Sequence, residues 1–402
     1  MTETALNGVK VVELCNLVAG PYCAKMMADL GAEVIKVEKP GVGDEARRRG
    51  PFLNDIPHPE RSGLFLYLNT NKLGITLNIE TKKGEGLLKE LLLEADILIE
   101  DNPPGMLANL GLGYDVLSEL NSRLIMTSIT PFGQNGPYVD YKAYPLNSFH
   151  SGAEGYITPT GDPFPDRPPL KVARYAGEYE VGIHSMLATL GALYYQRATG
   201  LGQQVDVSKQ EVLVDINTYE LLAYPYVGWY PNRSTVLNLF GGILQAKDGY
   251  AHLALYEEVQ WDNLAKLMGN PDWTKEELFT NPDVRRQRSG EVNQHIAEWM
   301  REHTKYEIYH KGQEIGVPTG AYQTPEEIMN SEQLNSRGFF VELDHSEVGR
   351  ITYPTSPYRF SKTPWLGRWA APLLGEHNEE IYHKRLRHSK EHMARWRGLG
   401  II

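Results

Sequence analysis
The feature that most restricts the fold of this chain is the alternation, through its N-terminal half, of short β-branched runs with amphipathic stretches. Val9 to Leu14 predicts a strand, and Gly20-Pro21 opens a segment whose apolar positions Cys23, Met26, Met27 and Leu30 repeat at helical spacing. Glu33 to Val37 predicts a second strand. The pattern returns with a helix over Lys82 to Ala95, carrying Leu87, Leu88, Leu91 and Leu92, and with strands at Ile97 to Ile99 and Leu124 to Ile129. Strands separated by helices cannot pair as hairpins, so the alternation predicts an α/β fold with a parallel sheet covered by helices.

Further along, Glu178 to Arg197 reads as a long helix stopped by Thr199-Gly200-Leu201-Gly202, Gln204 to Val207 as a strand, and Ser208 as the cap of another helix. A first α/β region is therefore expected over residues 1–218. At Tyr219 to Pro231 the composition turns to Tyr, Trp and Pro. After it come Gly241-Gly242, a strand pattern around Tyr250 to Leu255 and helices near Trp261 to Leu267 and Glu291 to His303, which predict a smaller α+β domain over 219–335. Residues 336–402 read as loop-rich, with Pro354, Pro357, Pro364 and Pro372 before a polar helical end from Asn378.

Several functions are disfavoured at once. A formal net charge of -11 leaves no basic field for nucleic acid or an anionic membrane surface. Only Cys15 and Cys23 are present, too few for a disulfide framework or a cysteine metal site, and a cytoplasmic setting without a metal is expected. Met1 to Lys10 has no apolar leader, and no stretch approaches the ~20 apolar residues that cross a bilayer. The first strand-to-helix turn reads Asn16-Leu17-Val18-Ala19-Gly20-Pro21, which lacks the glycine fingerprint of dinucleotide binding.

A series of ordered blocks narrows the reading: Leu6-Asn7-Gly8-Val9-Lys10-Val11-Val12-Glu13, Ala19-Gly20-Pro21, Leu30-Gly31-Ala32-Glu33-Val34-Ile35-Lys36-Val37-Glu38 and Gly43-Asp44. These are followed by Asn69-Thr70-Asn71-Lys72, Phe132-Gly133-Gln134-Asn135-Gly136-Pro137, Thr199-Gly200-Leu201-Gly202-Gln203 with Asp206-Val207-Ser208, and Pro372-Leu373-Leu374-Gly375-Glu376-His377. In order and spacing the chain resembles the class III CoA-transferases, the CaiB/BaiF family that includes formyl-CoA transferases. The resemblance implies a Rossmann-like large domain built from both chain ends, a smaller domain inserted between them, and an interlocked homodimer. It also implies acyl-CoA and carboxylic acids as substrates, with no permanently bound cofactor.

Moving CoA between acids needs a nucleophile that takes the acyl group and then CoA. A carboxylate serves without a general base, because its ordinary pKa near ~4 keeps it ionised at neutral pH. In the family this is an aspartate followed four residues later by glycine, at the start of the helix ending in Thr-Gly-x-Gly-Gln. Counting back from Thr199-Gly200 puts Glu178 there and Gly182 at the glycine, with glutamate in place of aspartate. The bland alternative is an acidic residue favoured by the helix dipole. Glu180 is turned away from Glu178 by helical geometry.

By the same resemblance, Asn16, Leu17 and Val18 face the thioester, and Lys39, Lys72 and Lys142 contact CoA. Asp101 and Asn102 lie against its nucleotide end, Tyr144 borders the acyl pocket, and Gly241-Gly242 closes over the carboxylate. The competing reading of each lysine, and of Arg47-Arg48-Arg49, is a solvated charge. Tyr219, Tyr224, Tyr226, Trp229 and Tyr230 suit either an acyl pocket or an interface. Two rival functions remain. An α-methylacyl-CoA racemase needs a histidine where Lys142-Ala143-Tyr144 has alanine, and a non-catalytic CoA-binding subunit of a heteromeric transferase would explain the altered nucleophile.

Overall fold
The structure is a computed structural model that describes residues 4–159, 164, 166–235, 240–365 and 367–402. It divides into two compact units, one of Met1–Pro159, Asp166–Asn232 and Gly338–Ile402, the other of Thr160–Pro165 and Arg233–Arg337.

The first unit is built on six parallel strands: β1 (Lys10–Leu14), β2 (Glu33–Glu38), β3 (Lys72–Thr76), β4 (Ile97–Glu100), β5 (Ile125–Thr130) and β6 (Gln204–Ser208). Their order in the sheet is β3-β2-β1-β4-β5-β6. Val11 pairs with Val34 on one side and with Ile97 on the other, so side chains of equal parity share a face. One face carries Val12, Ile35, Leu98 and Met126 under Leu87, Leu88, Leu91 and Leu92 of the helix Lys82–Leu92. The other carries Val11, Val34, Ile97 and Ile125 under α1 (Ala19–Asp29) and the helix Ala176–Thr199. Because both faces are buried, the strands read as near-continuous apolar runs.

The chain's last residues complete the first of these cores. Ile381, Tyr382, Met393, Trp396 and Ile401 are buried in it, and the Tyr382 hydroxyl donates to the Thr76 carbonyl at 2.8 Å. The sequence pattern passes over two elements. In β3, Lys72 and Gly74 interrupt the apolar run, and a Cβ at Gly74 would stand 2.7 Å from the Pro372 ring, so the strand is spelled by packing and not by propensity. The stretch expected to be loop contains the hairpin β10 (Phe340–His345) and β11 (Gly349–Pro354).

The second unit holds the antiparallel sheet β7 (Gly241–Ala246), β8 (Gly249–Ala254) and β9 (Thr319–Ala321). Its core is Trp261, Leu264, Phe279, Val292, Ile296 and Met300. Among the described residues no helix is long and apolar enough to cross a membrane.

Candidate active site
In the first unit the strand order reverses between β1 and β4, so the turns that follow these two strands diverge to opposite faces and leave a crevice at the carboxyl edge of the sheet. The β1–α1 turn there is held by two carboxyl groups. The Asn16 N–H donates to both oxygens of Asp101, at 3.1 and 3.0 Å, and the Leu17 N–H donates to Asp44 at 2.9 Å. Leu17 takes φ +62°, a backbone state that a leucine adopts only when its surroundings impose it. Restricted hydration pushes the Asp101 carboxyl up to about 8, against the Asn16 hydrogen bond and the field of Lys209.

Asp44 is itself anchored from below. Lys36 is fully buried and bridges Glu13 at 2.7 Å and Asp44 at 2.8 Å; against the cost of burial, Asp44 and Glu13 push its pKa up. Lys72, expected to contact CoA, is placed inside this network. Its ammonium forms an ion pair with Glu13 at 2.7 Å and donates to the Pro21 carbonyl at 2.8 Å and the Asn69 side chain at 3.0 Å. Burial pulls its pKa down to about 8 even beside Glu13. The family-like Asn69-Lys72 block thus supports the turn from within. Arg47 departs from the solvated reading in the same way: it is fully buried, pairs with Glu38 at 2.7 Å and stacks over Phe65 at 3.6 Å.

Glu178 lies in the first turn of the helix Ala176–Thr199 and is 5 % exposed. One turn further on, Gly182 lets this helix close onto α1, since a Cβ there would sit 2.8 Å from the Ala19 carbonyl and 3.1 Å from the Tyr22 ring. That contact sets the start of the long helix beside the β1–α1 turn. The Glu178 carboxylate receives a hydrogen bond and an ion pair from Lys209 Nζ at 2.7 Å. Lys209 follows β6 directly, as the first residue of the helix Lys209–Asp215 capped by Ser208. Leu17 and Val18 of the turn pack in one cluster with Tyr22, Tyr67, Tyr175 and Tyr179, and the Tyr22 and Tyr179 rings meet edge-to-face at 4.9 Å. The carboxylate is nearly dry. Glu180, on the same helix, is half-buried, and burial above all holds its carboxyl above the usual range.

Two clefts open on either side of the loop after β4, one at the carboxyl edge of the sheet and one reaching along the sheet beside Met126 and Gln204. One is lined by Asn16, Lys39, Asn78, Glu80, Asn102 and Met106, with Lys39 exposed and 3.5 Å from Glu80. The other, of about 600 Å³, is lined by residues that include Glu100, Gly105, Tyr114, Ser128 and Gln134, a size within the range of ligand sites (~300–1,000 Å³). Asn16, Leu17, Val18, Lys39, Asp101 and Asn102 therefore share one edge of the sheet. Lys142 and Tyr144 stand apart, exposed on the segment leading into the helix Pro145–Ser151, with Tyr144 71 % exposed.

Gly241 and Gly242 belong to the second unit, at the start of β7, with φ +75° and +87°. At Gly241 a Cβ would strike the Leu253 carbonyl at 2.3 Å, whereas at Gly242 it would meet open space. Of Tyr219, Tyr224, Tyr226, Trp229 and Tyr230, none is buried. Sequence reasoning missed Lys209 and the tyrosines around the turn. A cation at the first position of a helix, where the dipole disfavours it, was the available signal for Lys209.

The strand order, the crevice at its reversal and the cleft at the carboxyl edge define a Rossmann-like α/β protein. Residues 6–378 match the sequence profile of CoA-transferase family III. Formyl-CoA:oxalate CoA-transferase from Streptomyces coelicolor is 31% identical over 421 residues, covering 100% of both chains. The Escherichia coli O157:H7 protein of the same name is 31% identical, covering 94% of this chain and 95% of its own. Among solved structures, a CaiB/BaiF family protein from Brucella suis superposes with a TM-score of 0.85 at 29% identity, covering 96% of this chain and 100% of that one. This chain belongs to CoA-transferase family III.

Proposed function
We propose that the protein moves CoA from an acyl-CoA donor to a second carboxylic acid, with Glu178 as the covalent nucleophile. The observation that carries this reading is a nearly dry carboxylate at the start of the long helix, fixed beside the β1–α1 turn by the Gly182 contact. A Glu178 oxygen attacks the thioester carbonyl, a C–O bond forms, the C–S bond breaks and CoA leaves as thiolate. The thiolate attacks the γ-carbonyl of Glu178, giving an enzyme thioester and releasing the first acid as its carboxylate. The second acid attacks that thioester, and the returning thiolate cleaves the new anhydride to give the product thioester and free Glu178. Every step exchanges one anion for another, so no general base is required.

Lys39 and Asn102 would contact CoA in the cleft they line, and Asp101 would hold the turn that faces the thioester. The φ values of Gly241 and Gly242 reserve their loop for glycine. The names of the relatives make formyl-CoA and oxalate the first donor and acceptor to assay. A homodimer is the proposed assembly, supported by the helix Thr218–Val227, which buries none of its residues within the chain despite carrying Tyr219, Leu221, Leu222, Tyr224 and Tyr226.

Glu178→Gln tests the mechanism, because the amide keeps the side chain's size without its nucleophilic oxygen anion. Transfer is expected to vanish while CoA ester binding persists. A fully active Glu178→Gln enzyme would remove the covalent role from this residue. A wild type that binds CoA esters but forms no adduct with any donor would favour the non-catalytic subunit.

A further inference from the structure
Lys209 is the group in this site that the covalent scheme leaves unused. Its side chain is 18% exposed and its ammonium sits 2.7 Å from a carboxylate that is itself 5% exposed. Local rules do not explain it, since a lysine at the first position of a helix opposes the dipole. A further carboxyl group within its field, Asp101, is already engaged by the Asn16 N–H.

When Glu178 becomes an anhydride or a thioester it loses its negative charge, and Lys209 is left as a poorly hydrated cation without its partner, a costly state. At the thioester stage the reaction contains a free carboxylate: the acid just released, or the one about to enter. It carries the same charge and the same pair of oxygens as the side chain it would replace. We propose that Lys209 binds the substrate carboxylate in alternation with Glu178, pairing with Glu178 in the resting protein and with the free acid while Glu178 is held as the CoA thioester. The inference rests on the covalent reading of Glu178. It makes Lys209 the residue that recognises the acid as an anion, and it keeps the charge of the pocket constant through the cycle. It also predicts that free carboxylates bind poorly until Glu178 has been neutralised.

Glu178→Gln reproduces that neutral state without any turnover. Calorimetric titration of Glu178→Gln with sodium oxalate and with sodium acetate, at neutral pH and fixed ionic strength, should show binding at least about tenfold tighter than to the wild type. Glu178→Gln/Lys209→Met should lose that gain, and Glu178→Gln/Lys209→Arg should retain most of it, with circular dichroism confirming the fold of each. In turnover, Lys209→Met should raise KM for the acceptor acid by about tenfold or more, with a smaller effect on KM for the donor thioester. If Glu178→Gln gains no carboxylate binding, or the Lys209→Met double variant keeps it, the proposal is overturned. Should Glu178→Gln not fold, Lys209→Met turnover decides alone, and an unchanged acceptor KM would overturn the proposal. An enzyme adduct at Glu178 without the gain in binding defeats this inference alone. A gain in binding without any adduct in the wild type instead defeats the covalent reading.

Discussion

Glu178 is one methylene longer than the aspartate expected at its position, and the ion pair with Lys209 gives that extra reach a fixed end point. The same scale separates the lysines that sequence alone groups together. Lys39 is exposed and only loosely paired with Glu80, a contact worth ~0–1 kcal/mol, so Lys39→Ala should leave stability nearly unchanged. It should raise KM for CoA esters with less effect on kcat, and an unchanged KM would return Lys39 to the solvated surface. Lys72→Met should do the reverse: stranding one oxygen of the buried Glu13 should cost about 3 kcal/mol or more in denaturant unfolding. Sequence presented both as cations in family-like blocks, and only the three acceptors around Lys72 distinguish them. Asp101 supplies a pH test. Its folded pKa of about 8 lies above the ordinary 3.8, so its contribution to stability is fully present below pH 3.8 and is lost as pH rises toward 8. Asp101→Asn should therefore gain thermal stability relative to the wild type as pH is raised from 5 to 8 within the window those values set. A difference in Tm that stays constant across that window would show that Asp101 does not titrate there.

At the scale of elements, the start of the Ala176–Thr199 helix is aimed by a single glycine. Gly182→Ala would force its Cβ against the Ala19 carbonyl, so the helix must lift from α1, at a cost of ~1–3 kcal/mol for overpacking. It should also lower kcat, because the displaced helix carries Glu178 with it, and a variant with wild-type stability and turnover would show that the contact does not aim the carboxylate. Much of this level was legible. The strands around Val9–Leu14, Glu33–Val37 and Ile97–Ile99 announce themselves because parallel strands buried on both faces read as near-continuous apolar runs, broken here only by the paired Glu13 and Lys36 among their inner positions. β3 escaped because Lys72 satisfies a distant glutamate and Gly74 makes room for Pro372, reasons that exist only after folding. Counting back from the Thr199-Gly200 stop nominates Glu178 but not Lys209, because the contact between them spans two elements that no local pattern connects.

For the whole molecule, the helix Thr218–Val227 sets the expectation. With Tyr224 63% and Tyr226 82% exposed, it offers an apolar surface that a lone chain in water would not keep bare. Light scattering should give the mass of a dimer, and Leu222→Glu should weaken it; a monodisperse monomer would contradict the proposed assembly. Covalent catalysis at Glu178 is central to everything else proposed for the molecule, and one measurement meets it directly. The wild-type protein is incubated with an acyl-CoA donor that supports turnover, hydroxylamine is added to intercept anhydride and thioester, and the digest is mapped by mass spectrometry. A glutamyl hydroxamate is expected at Glu178 and at no other carboxylate. A hydroxamate at another residue, or none under conditions of proven transfer, would contradict the covalent role of Glu178.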